Sequence, residues 1–211
     1  MSSVESRFLQ LNNAKVLTAI VAILVSFAIP VSAAFCSLRD PIFAIHSLYP
    51  EATKHRSIIR PIDQQMRREV AKRLPFTIHH NEIGKHTLYQ VLNGIDSIGF
   101  VQARSELSEW GLVEIAWAIS PDMKIEGLAF QRCRSFECND TLKNEVEAVI
   151  QGKSFAELLL LVSADGQELS EQAKSALSKS SAMHLLILSS ALKTLAITEL
   201  AWGDVISAQS Q

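Results

Sequence analysis

Surplus charge of one sign is what this sequence lacks. Its 20 Lys and Arg stand against 22 Asp and Glu, a formal net charge of −2. A general nucleic-acid binder needs a basic excess to neutralise phosphates, so no nucleic-acid partner is expected. Internal repetition is absent at any period of roughly 20–50 residues, which sets aside solenoids. The chain contains no Walker-type loop, no dinucleotide-binding glycine fingerprint, no nucleophile elbow and no His-Glu-x-x-His, so a hydrolase has little support. With only three cysteines, there is no Cys-x-x-Cys-His for a c-type haem. Nor is there a second cysteine pair, or a spaced histidine pair, to complete a zinc site. No metal is expected.

What is present begins with a hydrophobic run. Arg7 and Lys15 precede residues 16–35, VLTAIVAILVSFAIPVSAAF, which carry no charge. About 20 apolar residues in helical form span a bilayer core, and a cation-then-apolar order with a small-x-small exit marks a secretory signal. Val31-Ser32-Ala33 supplies such an exit, and Pro30 breaks a helix just before it. Residues 1–35 therefore read as a signal peptide or a membrane anchor. Phe35 before Cys36 argues against a lipoprotein. Residues 54–73 carry seven Lys or Arg against Asp63 and Glu69. Most of that cluster starts some 20 residues past the span, where the positive-inside rule weakens. The expected location is the outer face of a bacterial-type inner membrane, or the periplasm if the segment is cleaved.

Apolar residues make up 48% of the chain, enough for a core, and 211 residues suit one domain plus a targeting segment. Residues 36–51 read as irregular. Pro61 sits at the favoured first turn of a helix, and Ile62, Met66, Val70 and Leu74 recur every four residues along it until Pro75. Strands follow at 76–80, 86–92, 97–104, 111–119 and 123–131. The best is 111–119, where Val113, Ile115, Trp117 and Ile119 alternate with Glu114 on the other face. Asn93-Gly94 and Ser120-Pro121-Asp122 are turn signals. Helices are expected at 141–150, after the Ser154/Glu157 capping-box pattern, at 169–177 and at 181–202. The uncharged part of the last, 180–192, is too short to span a membrane and reads as a core helix. The fold class is α+β: an antiparallel sheet of about five strands covered by C-terminal helices and preceded by an N-terminal hydrophobic helix. The expected segments are 1–35 for targeting, 36–75 as an extension with an amphipathic helix, and 76–211 as the α+β domain.

Several residues are candidates for chemistry. Cys133 and Cys138 in CRSFEC read as a disulfide in an exported protein, with unpaired structural thiols as the alternative. Cys36 either pairs or stays free. His79 and His80 point to opposite faces of a strand and cannot share an ion from there; with His86 the set reads as two edge-strand histidines and one hydrogen-bonded histidine. Glu106/Glu109 and Glu145/Glu147 read as solvated faces. Trp117 reads as core, while Trp110 and Trp202 are available to a planar ligand. Arg132 and Arg134 flank Cys133 at a strand end, where their forks suit a phosphate; surface arginines are the plainer reading.

From Gly94 to about Gly203 the succession of elements resembles the FMN-binding domain family. That family supplies membrane-tethered flavin subunits of Rnf-type electron-transport complexes and of the sodium-pumping NADH:quinone reductase. The resemblance rests on Ile98-Gly99-Phe100-Val101, on the hairpin through Asp122-Met123-Lys124-Ile125-Glu126-Gly127, on Gly152-Lys153-Ser154-Phe155 and on Ser189-Ser190-Ala191-Leu192-Lys193-Thr194. It implies a redox accessory domain with noncovalent FMN near Arg132, Arg134, Ser189, Ser190, Lys193 and Thr194, working with a protein partner in an electron-transfer complex. The family attaches FMN through a phosphoester to a Thr or Ser hydroxyl in a motif like Ser-Gly-Ala-Thr. The matching position here is Leu192, which has no hydroxyl, so covalent flavin is not expected. The alternative function is a noncatalytic protein-interaction domain of the same fold at the membrane.

Overall fold

The computed structural model describes residues 40–79, 82–179 and 181–209. Residues 1–35, expected to be a targeting segment, and Cys36 lie outside the described residues. Eleven elements follow in order among the described residues: α1 (Ile42–Leu48), β1 (Lys54–Ile62), α2 (Gln64–Arg73), β2 (Gly84–Asn93), β3 (Asp96–Ser108), β4 (Gly111–Ile119), β5 (Ile125–Arg132), α3 (Asp140–Ile150), α4 (Phe155–Leu159), α5 (Glu171–Ala176) and α6 (Ala182–Ser207). The strands form one antiparallel sheet in sequential order, β1-β2-β3-β4-β5. The α+β expectation of a five-stranded antiparallel sheet with C-terminal helices is met.

Short turns produce this meander, because antiparallel neighbours need only a few connecting residues. Between β2 and β3, Gly94 takes φ +63°, a left-handed conformation that costs glycine little. Between β3 and β4, Gly111 at φ +98° closes the hairpin opposite Ser108. The Ser108 hydroxyl donates to the Gly111 carbonyl at 2.7 Å and accepts from the Trp110 amide at 3.2 Å.

Helices cover both faces of the sheet. In β4, Val113, Ile115, Trp117 and Ile119 face the larger core beneath α6, together with Leu188, Leu192 and Leu195. Ala116 and Ala118 point the other way, toward Ala44, Ile45 and Tyr49 at α1. Small residues on that second face admit a close helix. The approach is tightest at Gly99, where an added Cβ would lie 2.3 Å from the Tyr49 hydroxyl. That hydroxyl donates to Glu126 at 2.5 Å. Helix α6 is the one described helix long and apolar enough to cross a membrane, and 72% of its most apolar stretch is buried in the fold. It is the core helix that its short uncharged run predicts.

Three local readings are corrected. Residues 54–62 are a strand, so Pro61 is the next-to-last residue of β1 rather than the opening of a helix; it pairs with Lys85 in an edge strand, where a missing N–H is tolerated. The helix begins one step later, capped by Asp63, which accepts from the Met66 amide at 2.8 Å. Residues 76–79 form no strand; Ile78 instead lends its carbonyl to Arg67 at 2.5 Å. Finally, residues 42–48 are helical rather than irregular. The Ser154 and Glu157 pattern does cap α4, with Glu157 accepting from the Ser154 amide at 2.9 Å.

Candidate functional site: a buried ionic layer and the cavity at its end

The face of β3 that looks at α6 is polar where β4 is apolar. Strand alternation puts Gln102, Arg104 and Glu106 on one side, and all three are buried. Helix α6 answers with Lys193 and Thr198, also buried, and the short segment before β2 brings in Glu82. The Lys193 ammonium donates to Glu106 and, at 3.2 Å, to Glu82. The Arg104 guanidinium donates to Glu82 and approaches Glu106 at 3.4 Å. Thr198 donates to Gln102 at 3.4 Å. Two carboxylates and two cations thus neutralise one another away from water, the condition for burying charge without shedding it.

Protonation follows from this arrangement. Burial pushes the Glu82 carboxyl up, but attraction to Arg104 and Lys193, with the Lys193 hydrogen bond, outweighs it and holds the group below its usual range. His86 pairs its Nε2 with the Glu82 carbonyl at 2.9 Å. Burial, reinforced by repulsion from Arg104, pushes its imidazole down to about 4, so it is neutral at pH 7. His80 lies outside the described residues, and the His79 amide donates to the Glu82 carboxylate at 3.4 Å. Among the described residues no three His, Cys, Asp or Glu side chains converge as a metal site.

The layer runs into a cavity. Ser108 lies two residues beyond Glu106 on the same side of β3, and Ser189 lies one turn before Lys193 on α6. Both line a cavity of about 500 Å³, with Leu107 and Trp110 of the β3–β4 hairpin on one wall and Met183 of α6 on another. Glu137 completes it from the loop between β5 and α3. A disulfide between Cys133 and Cys138, with Cα atoms 6.2 Å apart, closes that loop, as expected of the pair. Cys138 Sγ lies 4.0 Å from Met183 Sδ, so the disulfide backs onto the cavity wall. Leu107 is 72%, Trp110 56% and Phe136 82% exposed.

The residues singled out from the sequence are distributed unevenly about this site. Ser189 lines the cavity. Ser190 is buried and accepts from the Trp117 indole at 3.1 Å. Thr194 is fully buried. Lys193 is committed to its two carboxylates. Arg132 stands opposite Glu114 in the β4–β5 register, and Arg134 is exposed in the disulfide loop; neither belongs to the cavity wall. Trp117 is core, as expected, and so is Trp202, whose indole donates to the Ile58 carbonyl at 3.1 Å. Two acid pairs are more than solvated faces. Glu106 is buried in the ionic layer, and half-buried Glu147 accepts from the Leu128 amide at 2.9 Å.

These positions do not fit a flavin phosphate. Leu192, at the acceptor position, is fully buried in the core. The phosphate's negative charge would meet Glu109 and Glu137, the charged residues of the cavity wall, while the nearest cation of the motif is already neutralised. The ionic layer was hidden in the sequence, since its members are 82, 104, 106 and 193. The available signal was Lys193 inside an otherwise apolar helix, which demands a buried partner.

The class that this architecture defines is an α+β domain with a single antiparallel sheet and helices on both faces. No protein-family model matches the sequence, and no curated protein does.

Proposed function

We propose that this chain is a noncatalytic protein-interaction domain, delivered to the outer face of a bacterial-type inner membrane by residues 1–35, which docks a partner through the cavity at the start of α6. The observation that carries the reading is the grouping of exposed apolar side chains at that cavity. Leu107 and Trp110 line it, and Phe136 stands beside the lining residue Glu137. Exposed apolar side chains cost nothing singly, but a group at a concave site marks a binding surface. Tryptophan is also a frequent energetic centre of such surfaces. Catalysis draws less support. The closest set of titratable groups, Glu82, Arg104, Glu106 and Lys193, is mutually neutralised and buried, which suits a structural layer better than a reacting centre.

A photocrosslinking aromatic residue placed at Leu107 in the full chain, in intact cells, tests the proposal. It should give a discrete protein adduct after illumination. The same residue at Ile95, 90% exposed in the turn between β2 and β3, should give none. Equal labelling from both positions, or a purified protein with the visible absorption of bound flavin, overturns the reading.

A further inference from the structure

We infer that the segment entering this cavity is cationic: an apolar anchor flanked by Lys or Arg on a partner protein. The inference rests on the docking function proposed above and adds the chemistry of the partner. The base of the cavity is apolar, with Met183, Leu185 and Leu186 presented by the first turns of α6 near its start at Ala182. Its charged wall residues are Glu109 and Glu137, both acidic. They come from separate elements, Glu109 from the β3–β4 hairpin tip and Glu137 from the disulfide loop, so negative charge stands on two sides of one apolar opening. Among the described residues neither carboxylate takes part in an ion pair. Arg104 and Lys193 are spent on Glu82 and Glu106. His184 of α6 pairs with Glu145 and feels Glu137, but burial holds its imidazole below the ordinary value. Arg134, exposed in the same loop as Glu137, forms no ion pair with it.

An opening of this kind selects by sign. Complementary charge at the rim steers encounter and rejects like-charged competitors, while the anchor supplies most of the affinity. An acidic peptide would place like charges together. An anionic lipid surface would do the same, so the aromatic side chains of this patch are better matched to a basic protein segment than to a phosphatidylglycerol-rich membrane.

The test uses the purified full chain in neutral detergent and fluorescein-labelled helical peptides. One peptide carries Leu anchors flanked by Lys, and its match carries Glu at the same positions. The Lys peptide should bind at least about tenfold more tightly than the Glu peptide, and the preference should shrink as salt rises. The double variant Glu109→Lys, Glu137→Lys should exchange the preference, and Trp110→Ala should weaken both peptides. Circular dichroism confirms that each variant remains folded. Equal binding of the two peptides, still lost with Trp110→Ala, overturns the cationic partner while leaving the docking site standing. Binding that ignores Trp110→Ala overturns the docking site itself. In nanodiscs, a blue shift of Trp110 emission on phosphatidylglycerol but not on phosphatidylcholine assigns the patch to the lipid surface and also overturns the inference.

Discussion

Lys193 illustrates how one side chain organises its surroundings. An ammonium in the middle of a core helix must be paired, and it gathers Glu82 and Glu106 from parts of the chain far apart in sequence. Those carboxylates in turn hold Arg104 beside His86. The result is a layer sensitive to acid. Folding keeps His86 neutral and depresses its pKa from 6.5 to about 4, so the unfolded chain binds a proton more readily. Its contribution to stability is complete above pH 6.5 and is lost as pH falls toward 4, on the order of 3 kcal/mol. Glu82, also held below its ordinary value, contributes stability above its unfolded pKa and loses it as pH falls further. Urea unfolding between pH 7.5 and 4 should therefore show a steep decline. His86→Gln keeps a donor toward the Glu82 carbonyl and cannot titrate. It should flatten the slope between pH 6.5 and 4 and leave the Glu82 loss at lower pH. An unchanged slope in the variant would show that another group carries the proton linkage.

Elements differ in how plainly they announce themselves. Strand β4 was legible because Val113, Ile115, Trp117 and Ile119 alternate along it and the sheet buries that face completely. Helices α3 and α6 were legible from their apolar positions, and the Ser154/Glu157 cap from its spacing. Strand β1 was not. It is an edge strand with exposed Lys54 and Arg56, and its Pro61 imitates a helix start. Helix α1, of seven residues, is too short for periodicity to separate it from a loop. The cavity escaped for a different reason: a hairpin tip, a disulfide loop and a helix start meet only in three dimensions, and of the residues expected at a ligand only Ser189 and Trp110 fall there. The packing of α1 yields a direct test. Gly99→Ala would drive a methyl to within 2.8 Å of three atoms of the rigid Tyr49 ring system. The ring must move, breaking its bonds to Glu126 and to the Ile119 carbonyl. A loss of about 1–3 kcal/mol is expected in chemical denaturation. By comparison, Gly203→Ala, which meets nothing within 4 Å, should not lower stability. Equal effects of the two would mean that α1 does not press on the sheet.

At the scale of the whole molecule, the disulfide and the N-terminal segment make one connected argument. A loop closed by Cys133 and Cys138 persists in an oxidising compartment and is rare in a reducing one. The targeting role proposed for residues 1–35 would carry the domain there. The chain-entropy contribution of so small a ring is about 2 kcal/mol, and the ring also fixes Glu137 against the cavity. On the proposed reading delivery and binding are coupled, since a chain retained in the cytoplasm would lack the bond that holds one wall of the proposed docking surface. A reporter active only outside the cytoplasm, fused after Gln211, should be active. Alkylation of the same cells without reductant should leave Cys133 and Cys138 unmodified by mass. Deleting residues 1–35 should silence the reporter and expose both thiols to alkylation, and the cytoplasmic protein should unfold at lower urea than the exported one. A well-expressed but inactive full-length fusion would sink the export reading. An active fusion whose two thiols alkylate freely would separate delivery from the disulfide and leave the cavity wall to the loop's own hydrogen bonds, such as the Glu137 amide to the Ser135 hydroxyl at 3.2 Å.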